Sequence, residues 1–202
     1  MTTILQILVS PRPQSHSRSF ARETVGRLLG LHPGASVIDR DLASAPPPHP
    51  DIALYDAILS PAADGSHPDF ALSERYIGEI EAADWIVIGT PVNNYTVPST
   101  LKAWVDHIVR IRRTFASTPE GKVGILRDRP VLIVSAHGGY CGDTPPGQPD
   151  FLAPYLRAVF NTIGIFDLSF IRLEGMTRGP EAVERSLARA RDWLDSRLPL
   201  TR

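Results

Sequence analysis

The sequence predicts an α/β fold: one doubly wound, five-stranded parallel sheet in the order 2-1-3-4-5, with helices on both faces. Three observations predict it. Short continuous apolar runs at residues 4–9, 85–89, 131–134 and 166–173, with a weaker one at 36–41, suit strands buried on both faces. Helical patterns at 17–31, 73–83, 98–113, 151–164 and 180–198 alternate with those runs, and strict alternation implies parallel strands joined by crossover helices. Five strands in 202 residues match this order better than a six-stranded dinucleotide-binding sheet.

Taken in order, the first strand runs straight into a serine-rich loop and the first helix. The second strand follows the turn His32-Pro33-Gly34. Residues 42–72, rich in Pro, Ala and Asp (Ala45-Pro46-Pro47-Pro48-His49-Pro50), form a long surface excursion before the next helix. After the third strand, Pro98 suits the first turn of a helix, where its missing N–H goes unneeded. Leu101, Trp104, Val105, Ile108 and Ile111 then make one apolar stripe, and Arg110, Arg112 and Arg113 fall in a last turn that runs to 113 and favours cations. Residues 114–129 read as a hairpin or lid ahead of the fourth strand. The last helix opens at Gly179-Pro180-Glu181. The whole chain, 1–202, reads as one domain.

Composition excludes several classes of function. The formal net charge is -1, from 21 basic and 22 acidic side chains, which argues against nucleic acid or an anionic membrane as partner. Cys141 is the only cysteine, so neither an intrachain disulfide nor a thiolate metal cluster can form, and a reducing cytoplasm is the natural compartment. No apolar stretch approaches the roughly 20 residues that cross a bilayer, and the N-terminus has no secretory pattern.

In an open parallel sheet, ligands bind beyond the carboxyl ends of the strands, where the strand order reverses. Here the loops after the first, third and fourth strands frame that place, and all three carry unusual chemistry. The first, Ser10-Pro11-Arg12-Pro13-Gln14-Ser15-His16-Ser17, offers two hydroxyls, the unpaired N–H groups of a helix start and a cation, a set suited to a phosphate monoester. Either serine can instead be a plain N-cap. It contains neither GxxxxGK[ST] nor GxGxxG, which argues against a resident dinucleotide. The second, Thr90-Pro91-Val92-Asn93-Asn94-Tyr95-Thr96-Val97-Pro98, is stiffened by prolines. It brings amides and an aromatic edge, as a flavin ring requires, although Asn-Asn also builds turns for backbone reasons alone. The third, residues 135–143, places Ala136, His137, Gly138 and Gly139 where backbone N–H groups can approach a flat ligand.

With these loops the sequence resembles the FMN-dependent NADH azoreductases, within the NAD(P)H:quinone oxidoreductases of flavodoxin-like fold. The resemblance is carried by SPRPQSHSRS (10–19), GTPVNNYTVPSTLKAWVDHIVRIRRTF (89–115), GKVGI (121–125), SAHGGY (135–140), PYLRAVFNTIGI (154–165) and Glu174-Gly175. It implies bound FMN, its phosphate on Ser10, Ser15, His16 and Ser17 with Arg12 adding charge, and its ring against Pro91, Val92, Asn93, Asn94, Tyr95, Ala136, His137, Gly138 and Gly139. The implied activity is two-electron ping-pong transfer from NADH or NADPH to a quinone or azo compound, in a homodimer with the site at the subunit interface. Backbone N–H groups of Gly138-Gly139 and the amide of Asn94 would steady charge on the reduced flavin, and His137 would supply a proton. The chain departs from the family pattern at Val92-Asn93-Asn94-Tyr95 (commonly Met-Tyr-Asn-Phe), at Ala136-His137 (commonly Ser-Arg) and near Ala116-Ser117, where an aromatic is usual. An electron carrier without reductase activity and a flavin-free binding module are the alternative readings. A charge of -1 is poor for the acidic docking face of a carrier.

Overall fold

The computed structural model describes residues 1–60, 67–142 and 147–198. In chain order its elements are β1 (Thr3–Leu8), α1 (His16–Leu31), β2 (Ser36–Asp41), α2 (Ile52–Leu59), a 3-10 turn (Pro68–Phe70), α3 (Ala71–Ala82), β3 (Trp85–Pro91), α4 (Ser99–Ile108), β4 (Phe115–Thr118), β5 (Gly121–Gly124), β6 (Val131–Ala136), α5 (Leu152–Ile163), β7 (Leu168–Leu173) and α6 (Pro180–Arg197). Five strands form one sheet in the order β2-β1-β3-β6-β7, every pair parallel. This is the predicted order 2-1-3-4-5, because β4 and β5 stand apart from the main sheet as an antiparallel hairpin.

The period-2 alternation of the strands sorts side chains between two cores. Leu5, Ile7, Ile86, Ile88 and Ile133 point to one face and pack with Ile77, Leu101, Trp104, Leu156 and Phe160 of α3, α4 and α5. Ile4, Leu8, Val87 and Val134 point to the other and pack with Phe20, Leu28 and Leu194 of α1 and α6. The polar edge strand β2, SVIDRD, explains why its sequence signal was weak: none of its residues is fully buried. Gly89 lets α1 close onto the sheet, since a Cβ there would lie 2.7 Å from both the Ser17 carbonyl oxygen and Ala21 Cβ.

One helix ends earlier than its pattern suggests. α4 stops at Ile108, not at residue 113, because Thr114 Oγ1 donates to the Ile108 carbonyl (2.7 Å) and accepts from the Arg110 N–H (2.9 Å), while Arg112 turns left-handed at φ 65°. The arginines therefore serve tertiary pairs rather than the helix dipole. Arg110 bonds Ser73 and Glu74 of α3, and Arg113 bonds Glu74 (2.9 Å) and Glu81 (2.7 Å). The excursion 42–72 is not structureless. α2 is capped by Asp51, whose side chain accepts from the Leu54 N–H at 3.0 Å. His107 Nε2 lies 3.1 Å from the Pro48 carbonyl, Arg112 holds the carbonyls of Ile58 and Ser60, and Arg110 stacks 3.9 Å from the Phe70 ring. Residues 61–66 of the excursion lie outside the described residues. Among the described residues, no helix is long and apolar enough to cross a membrane.

Candidate active site at the switch of the sheet

The strand order reverses between β1 and β3, and the three predicted loops leave the same edge there. Leu8 pairs with Gly89, Gly89 with Val134, and Pro91 with Ala136, so β1, β3 and β6 end side by side. At about 4.8 Å between neighbouring strands, the loops at 10–17, 91–95 and 136–139 rise within roughly 10 Å of one another. The Val92 N–H donates to the Ala136 carbonyl at 2.9 Å and ties the second loop to the third.

In the first loop Ser15 is the N-cap of α1 but makes no side-chain cap bond. Its hydroxyl lies 2.9 Å from that of Ser17, and both residues are buried. Two hydroxyls whose only partners among the described residues are each other, beside the N–H groups of a first helical turn, form a donor cluster for an anion. Ser10 is buried as well, and its Oγ accepts from the Arg12 N–H at 3.3 Å. Arg12 is exposed, with no side-chain partner among the described residues, and His16 opens the helix half-buried. Behind the loop, Arg18 donates to both carboxylate oxygens of Asp41 (2.7 and 3.0 Å) and to the Ser10 carbonyl (2.6 Å). This guanidinium holds the Asp41 carboxyl down to about 2 and fixes the loop against β2.

The second loop is a tight turn. Asn93 and Thr96 exchange two backbone bonds (3.0 and 3.1 Å), with Asn94 and Tyr95 both left-handed at φ 48° and 73°. Asn tolerates that backbone and Tyr seldom adopts it, so the turn presents the exposed Asn93, Asn94 and Tyr95 at a cost in strain. Pro91 and Val92 at its base are half-buried.

The third loop has its carbonyls turned away from the other two. Those of His137, Gly138, Gly139 and Tyr140 accept, in turn, from the N–H groups of Met176, Thr177, Gly175 and Gln148. Thr177 Oγ1 adds a bond to the Gly138 carbonyl at 2.9 Å. In a trans peptide the N–H points opposite to its C=O. The N–H groups of Gly138, Gly139 and Tyr140 therefore face away from the turn after β7, and among the described residues they have no partner. The side chain of His137 is elsewhere. It is 5% exposed, with Nε2 2.9 Å from Ser135 Oγ and Nδ1 2.8 Å from Cys141 Sγ, and burial pushes its pKa down. Both ring nitrogens thus lie within hydrogen-bond distance of side chains of the same loop. Asp143, at the end of the predicted loop, lies outside the described residues.

The structure brings all three predicted loops together. Missed by sequence reasoning were Met176 and Thr177, which orient the glycine loop, and Gly89, which seats α1. Glu174-Gly175 carried a signal, because Gly175 takes φ 71° directly against the Tyr140 ring.

Comparison with known proteins agrees with this architecture. A family model described as "Flavodoxin-like fold" matches residues 2–198. The chain is 48% identical over 200 residues to FMN-dependent NADH:quinone oxidoreductase 2 of Cupriavidus pinatubonensis, covering 97% of each chain. It is 44% identical to FMN-dependent NADH:quinone oxidoreductase 4 of Pseudomonas fluorescens, covering 96% of this chain and 94% of the other. Among solved structures, an azoreductase from Bacillus anthracis superposes with a TM-score of 0.85 at 23% identity, covering 96% and 97% of the two chains. An FMN-dependent NADH-azoreductase of the same organism, solved with FMN, gives 0.81 at 24%, covering 97% and 99%.

Proposed function

This chain belongs to the flavodoxin-like family of the FMN-dependent NADH:quinone oxidoreductases, and from that membership we propose that it moves two electrons from a nicotinamide nucleotide, through bound FMN, to a quinone or azo compound. One observation carries the reading. A buried donor cluster for a phosphate follows β1, and a row of backbone N–H groups with no partner among the described residues follows β6, with the end of β3 between them on the same edge of the sheet. The residues present fit that group: among the described residues the Ser15 and Ser17 hydroxyls have no partner but each other, and the Gly138, Gly139 and Tyr140 N–H groups have none. When bound, FMN supplies hydride transfer at its ring.

The chain's own part is to bind, orient and exclude water. Ser15, Ser17 and the first turn of α1 hold the phosphate, with Ser10, His16 and Arg12 at its margin. Pro91, Val92, Asn93, Asn94 and Tyr95 fix one side of the ring, while Ala136 and the Gly138-Gly139 N–H groups fix its polar edge and favour negative charge there. We assign His137 to holding that loop in place through Ser135 and Cys141. Because its ring is buried and its pKa lowered, it stays neutral at pH 7.

We further propose that two copies pair through the α4–α5 face and that the protein works in the cytoplasm, which suits its one unpaired cysteine. What supports pairing is a groove of about 390 Å³ whose lining includes Val105, Val109, Tyr155 and Val159 beside Lys102, Asp106 and Lys122, together with the exposed rings of Phe151 and Phe166 next to the two ends of α5. The deciding experiment is anaerobic addition of NADH to the purified yellow protein, followed by a quinone. Bleaching and then recovery of the flavin absorbance, with steady NADH consumption and no protein partner, is the expected outcome. A colourless protein that takes up no FMN would refute the reading, and bleaching without turnover would leave an electron carrier.

A further inference from the structure

The row of amides in the third loop stops at Tyr140, and what stops it carries a charge. The N–H groups of Gly138, Gly139 and Tyr140 face away from the turn after β7. The next one, that of Cys141, instead donates to Glu174 Oε1 in that turn at 3.0 Å. Glu174 is itself fixed. Its own N–H donates to Oγ of the buried Ser186 of α6 at 2.8 Å, and the N–H of Gly175 donates to the Gly139 carbonyl at 2.8 Å. A half-buried carboxylate is thereby held behind the loop, on the side of its carbonyls.

The charges around this loop do not cancel. Three charged side chains act on His137 and Cys141, namely Asp150, Glu174 and Arg172. Arg172 donates to Asp150 at 2.8 Å, and Asp150 also caps the Leu152 and Ala153 N–H groups of α5, so these two offset each other. Glu174 has no cationic partner among the described residues, and the neutral His137 supplies none. The amides and the carboxylate therefore pull in opposite directions. The N–H ends favour negative charge on a ring edge, whereas an anion fixed behind them opposes it where solvent screens poorly. We propose that Glu174 sets the reduction potential of the bound flavin. It offsets part of the pull of the Gly138–Tyr140 amides, keeps the two-electron potential low, and so extends the reach of the site to quinones and azo compounds that are hard to reduce. Glu174 acts through the third loop and is a positioning residue. The inference rests on the flavin-binding reading above.

Two variants separate charge from shape. Glu174→Gln keeps an Oε1 for the Cys141 N–H and removes only the charge, while Glu174→Ala removes both. The FMN-loaded full chain is titrated anaerobically against a dye of known potential, and affinity for oxidised FMN is read separately by fluorescence on protein freed of flavin. Glu174→Gln is expected to favour reduced over oxidised FMN about tenfold more than the wild type does, a rise of about 30 mV for a two-electron couple. Its affinity for oxidised FMN should change by less than about twofold, because the hydrogen bond survives. Glu174→Ala should show the same rise together with weaker oxidised FMN, since its loop loses a tie. Glu181→Gln, at an exposed carboxylate in the first turn of α6, is the control and should leave the potential unmoved. A potential that falls in Glu174→Gln, or rises by less than about 9 mV (a twofold change), overturns the proposal. So does an equal rise in Glu181→Gln, which would make the effect one of overall charge. Equal weakening of oxidised and reduced FMN in Glu174→Gln would also overturn it and leave the residue a purely structural tie. Failure of the wild type to bind FMN in either state would bring down the flavin reading itself, and this role with it.

Discussion

Ser17 has no exposed surface, and among the described residues its hydroxyl meets only that of Ser15, an arrangement that makes sense once an anion shares the pair. Ser17→Ala should weaken FMN binding about ten- to hundredfold, the worth of one hydrogen bond to a charged group, with little change in thermal midpoint. Flavin fluorescence titration beside a melting curve separates the two effects. Asp41 makes the opposite prediction. Its folded carboxyl is held at about 2 against an ordinary 3.8, so it stabilises the fold fully above about pH 4, and that stability is lost as pH falls toward 2. Asp41→Asn should destabilise by about 2 kcal/mol or more at neutral pH and flatten the acid limb of the stability curve, read by denaturant melts across pH 2–5. The buried, depressed His137 acts in the same sense in a different window: stability begins to fall as pH drops below its free value of 6.5. The serines and paired glycines were legible because their chemistry is local and follows directly on apolar strands. The inward turn of His137 was not, because its partners Ser135 and Cys141 become neighbours only once the loop has folded around the ring.

At the level of elements, strand identity came through well because burial on both faces leaves unbroken apolar runs, whereas helix ends depend on contacts from elsewhere. The α4 pattern continues apolar through Ile111, yet Thr114 folds back to end the helix and the arginines are drawn sideways to Glu74 and Glu81. The hairpin β4–β5 rests on a glycine pair. A Cβ on Gly124 would overlap the backbone of Gly164, itself left-handed at φ 99° as the end of α5. Gly124→Ala should therefore cost about 1–3 kcal/mol, the usual price of overpacking, and loosen the hairpin from α5, visible as faster amide exchange at Ile125 and Leu126. Gly121, with open space around it, offers the contrast on the same hairpin, although its φ of 128° still requires glycine.

For the molecule as a whole, the sheet order and two-faced core were readable from alternation alone, whereas an apolar helix face such as those of 98–113 and 151–164 looks the same in sequence whether an intrachain core or a second copy covers it. If Val159 lies at that surface, Val159→Arg should shift the protein to monomers in analytical ultracentrifugation and reduce turnover with quinone, while FMN stays bound. The turn after β7 carries a further consequence. The glycine loop between residues 137 and 140 is shaped by residues 175–177, which leave the ribosome only after β7. A nascent chain halted before residue 170 already holds the serine cradle, yet lacks the template that aims the amides of the other loop. Cofactor loading is thereby postponed until the turn after β7 is made, and stalled chains of graded length should take up FMN only after the seventh strand has emerged.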